Sequence, residues 1–241
     1  MREIGRFRTI LQGDFTRHYY GGDFAACQRE LKEMVRLNLV QRKSVVITTH
    51  AKGEGSLTRS FSVLVLTKKG KDLLKADSSI RSTGQAMYAG FVKPREIAHD
   101  AAIYRMFQAE AAHIRSQGGS IKRIVLDFEL KQKAYSPLAR ARKVSLEEFR
   151  RKQEVVARDL SLRVIDGKLR LPDLRIEYET AQGEIGHVDL ELATEHYRGE
   201  HMATKDQAGF KIYAEHASFP PGGTSGGTPV FDDRHIEIFS F

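Results

Sequence analysis

The sequence predicts a mixed α/β (α+β) chain in two parts. Three observations carry this. Residues 1–78 read as helices followed by a strand, a glycine turn, a strand and a helix. Residues 95–241 read as helix, strand, inserted helix, strand, strand, helix, strand. Between them, at 79–94, lies a polar linker with Ser, Thr, Gly and Pro.

The length of 241 residues suffices for two small domains with real cores. With 41% hydrophobic and 29% charged residues, the balance is that of an ordinary soluble protein. No apolar run approaches the roughly 18 residues of a membrane span, so no membrane partner is expected. "MREIGRFRTILQGDF" lacks the apolar block of a secretory leader, and a cytoplasmic location is expected. The single cysteine, Cys27, rules out an internal disulfide and any Cys-based zinc site. A net charge of +8 and a pI near 9.5 favour a polyanion, because neutralised phosphates release counterions. A basic enzyme without such a partner is the alternative.

In the first part, "EIGRFRTILQG" predicts a helix, with a short second one near Arg17 to Tyr20. "GGDFAACQRELKEMVRLNLVQRK" predicts a third, opened by Asp23 as N-cap after Gly21-Gly22. Phe24, Cys27, Leu31, Met34 and Val35 recur at helical spacing and form its expected inner face. Gln28, Arg29, Lys32 and Arg36 fall on the polar side. "LVQRKSVVITTH" and "LTRSFSVLVLT" are strands around "AKGEGS", and "KKGKDLLKAD" starts another helix. This order, with "VLTKKGKDLL" and "LKEMVRLNLVQR", resembles winged helix-turn-helix regulators. The resemblance implies double-stranded DNA as partner. The third helix would enter the major groove, with Arg29 and Lys32 at phosphates or base edges and Gln28 reading a base. Lys52 and Arg59 would lie on the wing beside the backbone. Each of these side chains, taken singly, also fits a solvated surface.

The second part opens with the helix "PREIAHDAAIYRMFQAEAAHIRSQGG", started by Pro94 and ended by Gly118-Gly119. Glu110 sits within its apolar stripe of Ile103, Phe107 and Ile114, where an unpaired carboxylate is expensive. An edge position, an arginine partner, or a metal or catalytic lysine nearby would each account for it. "IKRIVLDFELK" reads as a strand with Ile124, Leu126 and Phe128 on one side. "KQKAYSPLARARK" reads as a basic loop. "SLEEFRRKQEVVARDLS" is an inserted helix with Ser145 and Glu148 as a capping box. "LPDLRIEYETAQGEIGHVDLELA" is two strands around a turn, "ATKDQAGFKIYAEHAS" a helix, and "RHIEIFSF" a final strand.

In "GHVDLELA", alternation puts His187, Asp189, Glu191 and Ala193 on one face. Asp173 could meet that face from the neighbouring strand. Two acids at i and i+2 repel unless a cation or proton compensates. Asp173, Asp189 and Glu191 are therefore candidate Mg²⁺ ligands, the ion stabilising charge on a phosphate. An exposed hairpin screened by water and salt is the competing account.

Without the insertion the order is αβββαβ. With Pro172-Asp173 on the second strand and an acid-x-residue motif on the third, residues 95–241 resemble the restriction-endonuclease-like superfamily, known by its PD-(D/E)XK motif. The resemblance implies Asp173 and Glu191 as the motif acids and Glu110 as the acid of the first helix. Ala193 occupies the place of the lysine that activates water or steadies the phosphate. Some members take that lysine from the following helix, which points to Lys205 first and Lys211 second. His187 and His196 are further candidates for a base.

A closer resemblance spans most of the chain. "AHDAAIYRMFQAE", "PDLRIEY" and "VDLELATEHYRGEHMATKDQAGFKIYAE", behind a winged helix, are similar to the replication-relaxation family of mobile elements. In it Lys205 with Tyr213, or Lys211, would fill the role of a late "K…Y" helix. The resemblance implies DNA transactions of a plasmid or transposon. Three functions stay open: a DNA-binding regulator or replication factor with a degenerate nuclease-like domain, a Mg²⁺-dependent endonuclease targeted by its winged helix, or a winged-helix regulator whose C-terminal part is a ligand or dimerisation domain. A homodimer and a mobile-element protein partner also stay open.

Overall fold

Gly21 and Gly22 both take positive φ, and the turn they make delivers Asp23 to the start of a helix. The Asp23 carboxylate accepts from the Ala26 amide at 2.9 Å, satisfying one of the donors a helix start leaves open. The computed structural model describes residues 1–51, 54–193, 199–215 and 236–239. The chain forms two compact units, Met1–Ile124 and Val125–Phe241. Among the described residues, no helix is long and apolar enough to cross a membrane.

The first unit runs α1 (Arg2–Arg6), β1 (Ile10–Leu11), α2 (Gln12–Tyr19), α3 (Phe24–Arg36), β2 (Val40–Ala51), β3 (Glu54–Leu66), α4 (Lys68–Ala76), α5 (Ser78–Thr83) and α6 (Pro94–Ser116). Its sheet has the order β1-β3-β2 and is antiparallel throughout, with Ile10 opposite Leu64 and Val40 opposite Leu66. Cys27 and Leu31 of α3 and Val63 to Leu66 of β3 are buried. Thr67 starts α4, its hydroxyl accepting from the Gly70 amide at 3.0 Å.

Three expectations change here. The single helix over "EIGRFRTILQG" is a short α1 followed by a strand, because Phe7 turns extended and Ile10-Leu11 pair with β3. The inner face of α3 is narrower than its periodicity suggests: Phe24 and Val35 are exposed, 61% and 42%, where the helix ends overhang the core. The first unit also continues past 79–94 to include α6. Residues 84–93 form no helix or strand, yet Met87 is buried and the Tyr88 amide donates to Gly5 O at 2.7 Å. Arg105 of α6, buried, holds Asp14 of α2 at 2.8 Å, and Phe7 packs edge-on against Tyr104.

The strand β4 (Ser120–Leu126) leads into the second unit. There follow α7 (Asp127–Arg142), α8 (Leu146–Asp159), β5 (Val164–Ile165), β6 (Lys168–Leu169), β7 (Leu174–Glu179), β8 (Ile185–Ala193), α9 (Gly199–Gln207), β9 (Lys211–Glu215) and β10 (Ile236–Phe239). The sheet order is β10-β9-β8-β7-β4. β7 and β8 are antiparallel, and β9 runs parallel to β8. Leu174, Ile176, Leu190, Leu192 and Tyr213 are buried to about their full extent on one side of this sheet.

The stretch Asp127–Arg142 is helix, where strand and then loop were expected. Leu130, Ala134, Leu138 and Ala141 are its buried residues, a helical period that runs through Pro137 despite the hydrogen bond proline forfeits. Phe128, put on one side with Ile124 and Leu126 by the strand reading, is 57% exposed while those two are buried. With Val156, Ala157, Leu162 and Leu169, the helical hairpin α7–α8 has a small core of its own. Ser145 caps α8 as expected, accepting from the Glu148 amide at 3.0 Å, while the Glu148 carboxylate turns to Arg151. Finally, Lys211–Glu215 is strand rather than helix. Gly209 at φ 82° ends α9, a conformation that favours glycine, and Ile212 and Tyr213 then pair with β8.

Candidate functional site

Arg175 and Asp189 face each other across β7 and β8. The guanidinium grips both carboxylate oxygens, Nε to Oδ1 at 2.6 Å and Nη2 to Oδ2 at 2.7 Å. It also donates to the carbonyls of Leu160 and Ser161 at 2.6 and 3.3 Å, which ties the end of α8 to the sheet. Both side chains are 8% exposed. Asp189, expected on a metal, thus has its charge met by an arginine. The sequence reading missed Arg175, although it stands two residues after Asp173 and so on the same strand face.

Asp173, just before β7, bonds to the β8 backbone on either side of Glu191. The Asp173 amide donates to Leu190 O at 3.0 Å, and its Oδ2 accepts from the Leu192 amide at 3.0 Å. The Asp173 carbonyl in turn accepts from the Asp127 amide at the start of α7, also at 3.0 Å. Glu191 is 2% exposed. Burial of a carboxylate at that depth calls for a counter-charge.

Lys205 provides it. Its Nζ stands 2.7 Å from Glu191 Oε1, donates to Leu171 O at 3.0 Å and lies over the Phe210 ring at 5.3 Å. Arg163 fixes the end of the helix that carries it, donating to the Gln207 carbonyl at 2.8 Å. The repulsion expected between Asp189 and Glu191 is therefore relieved by two cations, one for each acid. Lys211 is different: it pairs in register with Leu190, on the opposite side of the sheet from Glu191, and covers the Tyr213 ring at 5.5 Å. Tyr213 itself is fully buried. Ala193 is 6% exposed and leaves the lysine position of the motif without a polar group.

Lys131 of α7 joins the edge of this group. Partial burial lowers its affinity for a proton, but the hydrogen bond to Asp127 and the charges of Asp127 and Asp173 outweigh that, so its pKa stands above the ordinary lysine value. His187 is exposed opposite Glu177, and His196 lies outside the described residues. Glu110 is 4% exposed on α6 and belongs to the first unit.

Among the described residues, no group of three or more His, Cys, Asp or Glu side chains is arranged to hold a metal ion. With Asp189 committed to Arg175, Asp173 and Glu191 are the other two of the three expected acids, engaged by the Leu192 amide and by Lys205.

In the first unit, Arg29, Lys32 and Arg36 are exposed along α3, as expected, and Gln28 is half-buried. Arg36 also holds Glu33 through two bonds of 2.8 and 2.6 Å. Arg42 of β2 donates to Gln28 Oε1 at 3.3 Å, and the two flank a groove of about 430 Å³ with Arg29, Leu31, Lys32 and Val35. Arg42 escaped the sequence reading; "QRK" after the helix was its signal. Arg59 has its backbone on β3 opposite Ile47, and Lys52 lies outside the described residues.

Compared with known proteins, the chain matches no family model, no curated protein and no solved structure.

Proposed function

We propose that the chain is a duplex-DNA-binding, Mg²⁺-dependent endonuclease acting in the DNA processing of a mobile element or its host. The observation that carries this is the Lys205 ammonium 2.7 Å from Glu191, with the Asp173 carboxylate held by the amide of the next residue, Leu192. The element order of the first unit, helix–strand–helix–helix–strand–strand–helix, supports a winged helix-turn-helix, and α3 offers it a basic outer face. Counting α6 before the second unit and setting aside α7 to β6, the order is αβββαββ, which supports a restriction-endonuclease-like αβββαβ arrangement with one further strand. The resemblance to the replication-relaxation family supplies the mobile-element setting.

In this reading Asp173 and Glu191 would hold Mg²⁺, which polarises the phosphodiester and lowers the pKa of bound water. The Leu192 amide keeps the Asp173 carboxylate at the β8 side. Lys205 places a fixed positive charge where a phosphate oxygen gains negative charge. Arg175 holds Asp189 and takes no part in the chemistry.

A second reading has its own observation. Lys205 is already engaged by Glu191, Leu171 and Phe210, as in a structural ion pair, which suits a DNA-binding regulator with a degenerate site. Supercoiled plasmid with Mg²⁺ or Mn²⁺ separates the two. Nicking by wild type that EDTA and Glu191→Ala both abolish supports the endonuclease. Equal traces for wild type and variant sink it and leave the regulator.

A further inference from the structure

The segment "KQKAYSPLARARK", Lys131 to Lys143, holds five cations and no acid. The proposed chemistry uses none of it, although Lys131 stands at the edge of the site. The segment is the body of α7, whose buried residues are Leu130, Ala134, Leu138 and Ala141, with Ala134 and Leu138 in the hairpin core. On the outer side, Phe128 and Tyr135 are 57% and 49% exposed. Seven residues apart, they lie within about 20° of each other around the helix and roughly 10 Å apart along it. Lys131 and Gln132 stand exposed between them. The residue before Phe128, Asp127, is bonded through its amide to the carbonyl of Asp173, so this row begins at the acid site.

Two exposed rings with cations beside them form a stacking platform for bases whose backbone is met by lysine and arginine. In a duplex the base faces are covered by their neighbours, so they are not available to such rings. We infer that the outer face of α7 binds an unpaired DNA strand beside the Asp173–Glu191–Lys205 site, through Phe128 and Tyr135, with Lys131 on its phosphates. The substrate class would then be DNA with a single-stranded segment, such as a flap, an opened origin or a junction. This rests on the nucleic-acid reading of the second unit, and the test runs without divalent metal so that binding is read apart from cleavage.

The full chain contains no tryptophan. Phe128→Trp therefore installs a single indole on the platform, and its fluorescence reports stacking directly. Labelled oligo(dT) of about 16 nucleotides, and a duplex of equal length, are titrated in EDTA and followed by anisotropy. Wild type and Phe128→Trp bind oligo(dT), and the indole is quenched as they do. Phe128→Ala/Tyr135→Ala loses at least about tenfold in oligo(dT) affinity and keeps its duplex affinity within about twofold. Both positions are exposed, so circular dichroism of the variant matches wild type. No affinity of wild type for oligo(dT), an unquenched indole at saturation, equal losses for both DNAs, or no loss for either overturns the proposal. Quenching in a chain that nicks no plasmid would refute the endonuclease and leave the platform standing.

Discussion

Lys205 Nζ lies 2.7 Å from Glu191 Oε1, so a cation from α9 meets the acid two residues before Ala193. Removing one member of a buried pair leaves the other charged and desolvated. Lys205→Met is expected to destabilise the second unit by about 3 kcal/mol in urea unfolding. Glu191→Gln added to it should recover most of that loss. Additive losses in the double variant would show that the two side chains do not interact.

The Arg175–Asp189 pair makes a second prediction of the same kind with a different functional sign. Arg175→Ala leaves Asp189 buried without its guanidinium and frees the Leu160 and Ser161 carbonyls, a cost of roughly 3–5 kcal/mol. Asp189→Asn with Arg175 intact should lower stability less and leave Mg²⁺-dependent nicking near wild type. Abolished nicking in a folded Asp189→Asn chain would return Asp189 to the metal.

Gly70 explains why "LTKKGKDLL" carries a glycine. A Cβ there would stand 2.1 Å from the Leu39 carbonyl oxygen, a backbone atom that also accepts from the Thr67 amide. Gly70→Ala should cost about 2 kcal/mol or more in unfolding free energy. Gly13, on α2 with nothing within 4 Å of its would-be Cβ, is the control. Gly13→Ala should stabilise by roughly half a kcal/mol. Similar losses at both positions would contradict the packing argument.

The α3 face predicts a salt law. Duplex affinity should fall steeply as salt rises, and Lys32→Ala should reduce the slope of log K against log salt by about 1. Gln28→Ala should keep the slope and relax preference among sequences. A slope that Lys32→Ala and Arg29→Ala leave untouched would move the duplex contact off α3.

Much of this was readable from residues whose effect is local. Asp23 and Ser145 cap the helices that the sequence assigns them, because a cap needs only its own first turn. Lys205, the first lysine after Ala193, stands 2.7 Å from Glu191. What failed depended on longer-range contacts. Asp127–Arg142 alternates briefly like a strand and contains Pro137, yet packing against α8 makes it helix. Ala208, Ile212 and Glu215 are spaced like a helix, but Gly209 breaks it and β8 draws Ile212 and Tyr213 into the sheet. Arg175 and Asp189 are 14 residues apart in sequence, and strand register alone makes them neighbours.

The central claim is that Lys205 supplies what Ala193 lacks. Single-turnover nicking of supercoiled plasmid in Mg²⁺ by wild type, Lys205→Met and Lys205→Met/Ala193→Lys, each checked as folded, tests it most directly. The account predicts nicking by wild type, a loss of about 100-fold or more in Lys205→Met, and recovery when the lysine is returned at position 193. Nicking by Lys205→Met at the wild-type rate would contradict it.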